Sequence, residues 1–268
     1  MKHHKRHGWG VQWHSATTGG VLLICHDRLH RHQEVIERIC EPELMDDPHQ
    51  AQTYAEADFE ASDQDFLERI LDLVASRPHF APAVKKVLDL GCGPGNITFL
   101  LGEALPKTPV LGVDGARAML ALAEKRLAQA PERWPQVRVH QALRPLAGVA
   151  LTELPSPWAP PYDLIVSNSL LHHLHDPAVL WRTVRALGAP GALVVVRDLR
   201  RPPHPEALQE LVERHAATAP PVLRRDYANS LAAAFRPEEV EAQLAAAGWP
   251  EWRVESMADV YLDVSGQL

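Results

Sequence analysis

The sequence predicts an α/β protein built on a mostly parallel sheet. Residues 87–90 are a strand-like run that is apolar except for one acid, and three glycines and a helical pattern follow until Pro106. Strand-like and helix-like segments then alternate over residues 86–198, which predicts parallel strands joined by right-handed crossovers. Residues 252–256 and 260–264 have no helix between them, so we expect a closing antiparallel pair.

Composition places the 268-residue chain among ordinary globular proteins. Hydrophobic residues make up 46% and charged residues 23% of the chain. A net charge of −7 argues against nucleic acid as a partner. Cys25, Cys40 and Cys92 match neither a metal spacing nor a disulfide framework, which fits a reducing compartment. No apolar run approaches the roughly 18 residues of a membrane span, so we expect a cytoplasmic protein without membrane contact.

The first 36 residues differ from the rest of the chain. Residues 1–34 contain seven of the 15 histidines, and no helical or strand period persists there. Histidines 3, 4 and 7 could form a metal-binding or nucleic-acid-binding arm. Because such a tract is only a compositional signal, we expect a disordered extension over residues 1–36. Residues 37–268 then form a single domain.

Each element follows from a local pattern in the sequence. Residues 51–58 form a short helix. Ser62 is the expected N-cap of a longer helix that ends before Pro78, with Asp65 at the capping-box position. The alternating region predicts five strands, at residues 86–90, 109–113, 136–140, 162–167 and 192–196. The other helices are predicted at 96–105, 115–129, 177–187, 205–217 and 237–247. Prolines predict an irregular loop over residues 144–161. Helical segments at 50–77 and 199–235 are expected to act as lid elements.

The glycine turn after the first strand predicts a ligand cradle. Glycines 91, 93 and 95 alternate, whereas a dinucleotide fold requires G-x-G-x-x-G and places its third glycine where Asn96 stands. No Gly-Lys-Ser/Thr follows, which excludes a P-loop. The segment Asp89-Leu90-Gly91-Cys92-Gly93-Pro94-Gly95 resembles motif I of class I S-adenosylmethionine-dependent methyltransferases. That resemblance implies a doubly wound, seven-stranded, mostly parallel Rossmann-like sheet with an antiparallel last strand, and S-adenosyl-L-methionine as cofactor.

The resemblance also implies a set of cofactor-binding residues. Asp114 ends the second predicted strand, 19 residues beyond Gly95, and is similar to the family's ribose-binding acid. Met119 corresponds to the residue that lies against adenine, although a simple core role fits equally well. After the third strand, Gln141-Ala142-Leu143 departs from the acid that relatives often carry there, so adenine recognition stays open. The complete predicted set is Asp89, Gly91, Cys92, Gly93, Gly95, Asp114, Gly115, Met119, Asn168, Ser169 and Tyr54.

The segment after the fourth strand supplies the catalytic candidates. Residues 168–177 resemble motif IV of small-molecule methyltransferases, where the chain passes the transferred methyl group. His172, His173 and His175 are candidate general bases, although packing or capping of the loop is the simpler role. Asp198 and Arg197 are weaker candidates for substrate contact. No metal ligand set is predicted.

The predicted function is methyl transfer to an oxygen, nitrogen, sulfur or carbon atom of a small molecule. Its acceptor pocket is expected to be closed, largely apolar and bounded by Tyr54, His173 and Tyr227. One alternative is a non-catalytic protein that binds S-adenosylmethionine or S-adenosylhomocysteine. A nicotinamide-dependent dehydrogenase is a further alternative that the glycine spacing disfavours.

Overall fold

A computed structural model describes residues 35–42, 44–77, 84–142 and 154–268. The predicted extension lies outside the described residues, except for its last two positions. Leu143 and the first part of the predicted proline-rich loop also lie outside them. Among the described residues, no helix is long and apolar enough to cross a membrane.

A seven-stranded sheet forms the centre of the protein, as predicted. The strands are β1 (Val87–Leu90), β2 (Val110–Asp114), β3 (Val137–Gln141), β4 (Tyr162–Asn168), β5 (Gly188–Leu199), β6 (Arg253–Met257) and β7 (Tyr261–Gln267). Their order across the sheet is β3-β2-β1-β4-β5-β7-β6. Strand β7 pairs antiparallel with both β5 and β6, whereas β1 to β5 pair in parallel. The doubly wound sheet with an antiparallel last strand is therefore confirmed.

Helices cover both faces of the sheet and extend beyond its strand ends. The described helices are α1 (Pro48–Ala55), α2 (Glu60–Ala75), α3 (Asn96–Ala104), α4 (Arg117–Gln129), α5 (Ala178–Leu187), α6 (Pro205–Ala216), α7 (Pro221–Ala233) and α8 (Pro237–Ala246). A short 3₁₀ turn, Leu171–His173, follows β4. Helices α6 and α7 occupy most of the predicted 199–235 lid.

The core divides into two layers because successive residues of a strand point to opposite faces of the sheet. Ile165 of β4 packs on one face, in a cluster with Trp181 of α5. Its neighbours Leu164 and Val166 pack on the other face, in a cluster with Phe66 of α2. Both faces are covered, which explains why the central strands β1 and β2 are apolar except for one acid each.

A buried ion pair joins the antiparallel strand to the parallel part of the sheet. Arg197 of β5 lies opposite Asp263 of β7, and its Nε and Nη2 atoms donate to the two carboxylate oxygens at 2.7 and 2.8 Å. The third nitrogen, Nη1, donates to Asp65 of α2 at 2.6 Å. Arg197 therefore holds α2 and two strands together and is not available to a substrate.

The prediction of Ser62 as an N-cap is wrong. Helix α2 begins at Glu60, and the Ser62 hydroxyl donates to the Phe59 carbonyl instead of accepting from a helix N–H. Asp65, expected at the capping-box position, pairs with Arg197. The long-range ion pair with Arg197 thus explains why an acid stands at position 65, which the local pattern assigned to a helix cap.

Replacing Arg197 by methionine should lower the free energy of unfolding by about 3–5 kcal/mol, because it leaves the buried Asp263 carboxylate without its bidentate partner. The measurement is chemical denaturation followed by circular dichroism. Arg182→Met is the control, since Arg182 and its partner Asp176 are both well exposed and exposed pairs contribute little. Equal stability of the two variants would show that the buried pair does not join the strands.

Candidate functional site

The site lies at the topological switch point of the sheet. Strands β1 and β4 are neighbours, and the chain leaves them towards opposite edges of the sheet. In open α/β sheets, ligands bind beyond the carboxyl ends of the strands at this point. Gly91 follows β1, and a Cβ atom there would come within 2.8 Å of the Leu170 side chain, which follows β4. The missing side chain of Gly91 thus lets the two strand ends approach each other.

The three glycines of the turn have different roles. All of them have positive φ angles, of 73°, 53° and 89° in chain order, a conformation that costs other residues free energy. A Cβ atom on Gly95 would meet the Phe99 ring at 2.5 Å, so this position is set by packing. A Cβ atom on Gly93 would meet no protein atom within 4 Å. Gly93 is therefore the glycine of this turn that faces open space, as a ligand cradle requires.

Asp114, at the end of β2, is bonded to the same turn. One carboxylate oxygen accepts from the Gly93 N–H at 2.8 Å, and the other accepts from the Ala116 N–H at 2.7 Å. A carboxylate offers about four acceptor positions, so lone pairs remain for further donors. The structure thus brings Gly93 and Asp114 together. Their contact with a ribose stays a prediction.

Asp89 and Cys92 direct their side chains into the protein. Asp89 is 1% exposed and accepts from the Thr98 hydroxyl at 2.6 Å. Burial raises the pKa of Asp89 to about 7. A Cβ atom on Gly112 would come within 3.0 Å of the Cys92 side chain, so Cys92 packs against β2. These side chains stabilise the turn, and any contact with a ligand would come from the backbone of the turn; their binding role stays a prediction.

Residues near the start of α4 occupy the side of the site predicted for adenine. Met119 is 3% exposed and packs with Ala51 of α1 and with Ala116. Gly115 lies beneath Leu44, whose side chain would be 2.7 Å from a Cβ at this glycine. Gln141 donates to the Gly115 carbonyl at 3.3 Å, so it lies beside the strand end where relatives often carry an acid. Roles in adenine binding stay predictions for Gly115 and Met119.

Acidic groups surround the tyrosine of α1. Burial raises the pKa of the Tyr54 hydroxyl, and the nearby Asp63, Asp114 and Asp198 carboxylates raise it further. Asp63, on α2, accepts from the Asn96 amide at 3.0 Å, and burial raises its pKa to about 6. Tyr54 therefore lies over the strand ends within an electronegative environment, which favours a cationic ligand.

Asn168 and Ser169 mark the end of β4. Asn168 pairs with Arg197 in the sheet. Ser169 has a φ of 56°, although it is not a glycine, and its N–H donates to the Arg197 carbonyl at 2.9 Å. Strained backbone of this kind clusters at functional sites. Cofactor contact by these two residues stays a prediction.

The two predicted catalytic histidines form a buried group with two carboxylates. His172 is 2% exposed, and its Nδ1 lies 2.6 Å from Asp198 Oδ1. Its Nε2 is 3.4 Å from Glu41 Oε1, and His173 Nδ1 is 3.3 Å from the same oxygen. Burial lowers the pKa of His172, but Asp198 and Glu41 outweigh burial and hold it above its usual value. Burial and the His172 charge lower the pKa of His173 to about 3.

Tyr227 lies in an apolar part of the predicted lid. Tyr227 packs in an apolar cluster with Leu211 and Leu231. A cavity of about 180 Å³ is lined by Arg200, Arg201, Arg214 and Asp259 among others, and Tyr227 is not among its lining residues. Helix α7 does contact α1 and the 3₁₀ turn, so the excursion covers the strand ends. The apolar pocket bounded by Tyr54, His173 and Tyr227 stays a prediction.

Residues 35–50 contribute groups that the sequence analysis missed. Glu41 reaches the histidines from this segment, and Ser230 of α7 donates to it at 3.0 Å. Arg38 donates to the backbone carbonyls of His172 and Leu174 at 2.9 and 3.0 Å. No spacing signal links these residues to the histidines, because more than 130 positions separate them in the chain. The acid Asp63 was missed because it lies in an ordinary amphipathic helix.

Comparisons with known proteins agree with this fold. The model of a methyltransferase-domain family matches residues 88–194. The chain is 36% identical over 187 residues to a trans-aconitate 2-methyltransferase of Methylobacterium nodulans, covering 66% of this chain and 61% of the relative. A second trans-aconitate 2-methyltransferase, of Variovorax paradoxus, is 36% identical over 152 residues, 56% and 52% of the two chains. The chain thus spans between half and two thirds of the length of these curated relatives.

Solved structures show the same architecture. The plantazolicin methyltransferase BpumL, in complex with a monoazolic desmethylPZN analogue and SAH, aligns with a TM-score of 0.57 at 14% identity and covers 78% of this chain and 85% of its own. A SAM-dependent methyltransferase from Aquifex aeolicus aligns with a TM-score of 0.52 at 16% identity, covering 82% and 98%.

Fold, switch-point site and matched domain define a Rossmann-like methyltransferase domain. Its sequence over residues 88–194 and its fold are similar to those of class I S-adenosylmethionine-dependent methyltransferases.

The buried Asp89 predicts how stability varies with pH in the ligand-free protein. Its folded pKa, about 7, lies above the unfolded value of about 3.9. The folded state therefore binds the extra proton between these values, and the free energy of unfolding should fall as pH rises through this window. The slope from this group is at most about 1.4 kcal/mol per pH unit.

Asp89→Asn should flatten that slope, because the amide does not titrate but still accepts from Thr98. Denaturant titrations at several pH values between 4 and 8 measure it. Asp176→Asn is the control, since the pKa of the exposed Asp176 is held below its usual value by Arg182 and it stays ionised in this window. An unchanged slope in Asp89→Asn would contradict the raised pKa.

Proposed function

We propose that this protein binds S-adenosyl-L-methionine at the turn between β1 and α3 and transfers its methyl group to a small-molecule acceptor. The cofactor supplies an electrophilic methyl group on a sulfonium. The observation that carries the proposal is the open space at Gly93, directly beside the Asp114 carboxylate. The protein's own contribution is to bind, orient and desolvate, and in-line positioning can supply about 7–11 kcal/mol of a barrier.

The charges of the site support a cationic cofactor. Asp63 and Asp89 both have pKa values raised by burial, and burial raises the pKa of Asp114 as well. A nearby positive charge would favour the ionised form of each of these carboxyls. S-adenosylmethionine carries a sulfonium and an ammonium group, whereas the pyrophosphate of a nicotinamide cofactor is anionic. The acid-rich surroundings therefore favour the methyltransferase hypothesis over the dehydrogenase hypothesis.

Gly93→Ala should weaken binding of S-adenosylhomocysteine at least tenfold, because its methyl group would occupy the open space of the cradle. The matched control is Gly191→Ala, at the start of β5. Gly191 also has a positive φ, of 80°, and a Cβ there also meets no atom within 4 Å. Both substitutions carry a similar backbone cost of about 1–2 kcal/mol. Isothermal titration calorimetry of both variants separates loss of the ligand site from loss of stability.

Equal affinities of the Gly93→Ala and Gly191→Ala variants for S-adenosylhomocysteine would contradict the assignment of the β1–α3 turn as the cofactor site. A loss confined to Gly93→Ala would support it. Melting temperatures of the ligand-free variants check that both are destabilised to a similar extent.

Each of the two histidines has a property that limits it as a general base. His173 stays neutral and can accept a proton, but a base with a pKa near 3 is weak, since the best catalytic pKa lies near the working pH. His172 is more basic, but it is buried between Asp198 and Glu41. Their catalytic role remains part of the proposal, and positioning of the acceptor does not depend on it.

Trans-aconitate, the acceptor in the names of the relatives, is the first candidate to assay. Recognition of a tricarboxylate requires cationic groups. Among the described residues near these strand ends, Arg38 is bonded to backbone carbonyls, Arg197 to two aspartates and Arg201 to Glu239. We therefore propose only the wider class, a small organic acceptor, and include no nucleic acid or membrane among the partners.

Incubation of the full chain with isotopically labelled S-adenosylmethionine and a metabolite panel, trans-aconitate included, should give a labelled small-molecule product. The readout is mass spectrometry of the product together with formation of S-adenosylhomocysteine. The Gly93→Ala variant provides the control for transfer outside the site. Cofactor binding without any labelled product would favour the alternative of a non-catalytic binding protein.

For the domain organisation and the cellular location, we propose what the sequence predicts. We propose a single methyltransferase domain over residues 37–268, with lid elements at 50–77 and 199–235, in the cytoplasm. Contacts of α1 with α4 and of α7 with α1 support the lid assignment.

A further inference from the structure

After the end of β4, three side chains bring potential metal ligands close together. They are Glu41 from the N-terminal segment and His172 and His173 from the 3₁₀ turn, and their ligand atoms all lie within 4.8 Å of one another. Glu41 Oε1 is 3.4 Å from His172 Nε2 and 3.3 Å from His173 Nδ1. Two imidazoles and one carboxylate are a ligand set found in catalytic zinc sites.

The two separations from Glu41 fit a tetrahedral ion, and the ligand nitrogens of His172 and His173 lie within 4.8 Å of each other. Ligands about 2.0–2.1 Å from a tetrahedral Zn²⁺ are about 3.3–3.4 Å apart, by the geometry of a tetrahedron. Both measured separations from Glu41 Oε1 agree with this spacing. They are also longer than ordinary hydrogen bonds, which are about 2.7–3.2 Å for a nitrogen donor.

The surroundings of the three ligands are those that a metal site requires. His172 Nδ1 lies 2.6 Å from Asp198 Oδ1, so a proton on Nδ1 leaves the Nε2 lone pair towards Glu41. Ser230 donates to Glu41 Oε1 at 3.0 Å and orients that carboxylate. His173 Nδ1 is buried and has no hydrogen-bond partner. A buried polar atom without a partner needs an explanation, and a missing ion is one.

We propose that Glu41, His172 and His173 bind one divalent transition-metal ion, for which Zn²⁺ is the best fit. Three protein ligands leave the fourth position for water or an oxygen of a small molecule. Such an ion would also attach the segment around Glu41 to the turn after β4. The proposal does not rest on the methyl-transfer function, because it concerns protein ligands alone.

Cobalt spectroscopy of the full chain tests the site. Protein stripped with a chelator is titrated with Co²⁺, and the visible absorption bands of tetrahedral Co²⁺ are recorded. The seven histidines among residues 1–34 also bind metals in principle, so the comparison is between variants that all retain them. The wild type should show the bands, and Glu41→Gln should lose them. His215→Ala is the control, because His215 lies on α6 and pairs with Asp259, away from the three ligands.

A second variant keeps the test decisive if Glu41→Gln fails to fold. His173→Cys replaces one zinc ligand by another and should add a sulfur-to-cobalt charge-transfer band. Zn²⁺ should raise the melting temperature of the wild type and of His173→Cys, and not that of Glu41→Gln. Cobalt spectra that are identical in wild type, Glu41→Gln and His173→Cys would place the metal elsewhere. Absence of any metal binding would show that a proton on His172 Nε2, and not a metal ion, lies between His172 and Glu41. Either result overturns the proposal.

Discussion

The hydrogen bond from the Gly93 N–H to the Asp114 carboxylate connects the two parts of the site on which the rest depends. It joins the turn after β1 to the end of β2, so the glycine cradle and the candidate ribose acceptor have a fixed relative position. Asp114 can make this bond because β1 and β2 are adjacent parallel strands whose carboxyl ends meet at one edge. The contact of Gly91 with Leu170 adds β4 to the same edge. The order of the strands thus determines which residues can meet a ligand.

Negative charge is the second property that defines the site. Several carboxylates are buried near the turn, and the raised pKa values of Asp63, Asp89 and Asp114 show that nearby positive charge does not compensate them fully. Asp263 provides the contrast, because Arg197 neutralises it with two hydrogen bonds. Asp89 is bonded to Thr98 inside the protein, whereas the proposed cationic cofactor would favour the ionised forms of Asp63 and Asp114. The metal ion that we propose would likewise place a positive charge near the carboxylates of Glu41 and Asp198.

Local sequence patterns were sufficient for most of the fold. The strands and the glycine turn follow from apolar runs and glycine spacing, and Asp114 follows from its place at a strand end. The patterns failed where distant residues decide the outcome. Asp65 looked like part of a capping box, but its partner is Arg197 in β5. Glu41 showed no signal, because its partners lie more than 130 positions away, beyond four strands of the sheet. The separate roles of Gly91, Gly93 and Gly95 required the packing around each of them.

An equilibrium titration of the full chain with S-adenosylmethionine, and in parallel with NAD⁺, tests the central claim most directly. The account predicts saturable binding of S-adenosylmethionine with one site per chain and no binding of NAD⁺, because the alternating glycines and the acidic surroundings suit a cationic cofactor rather than a pyrophosphate. Saturable binding of NAD⁺ without binding of S-adenosylmethionine would contradict it.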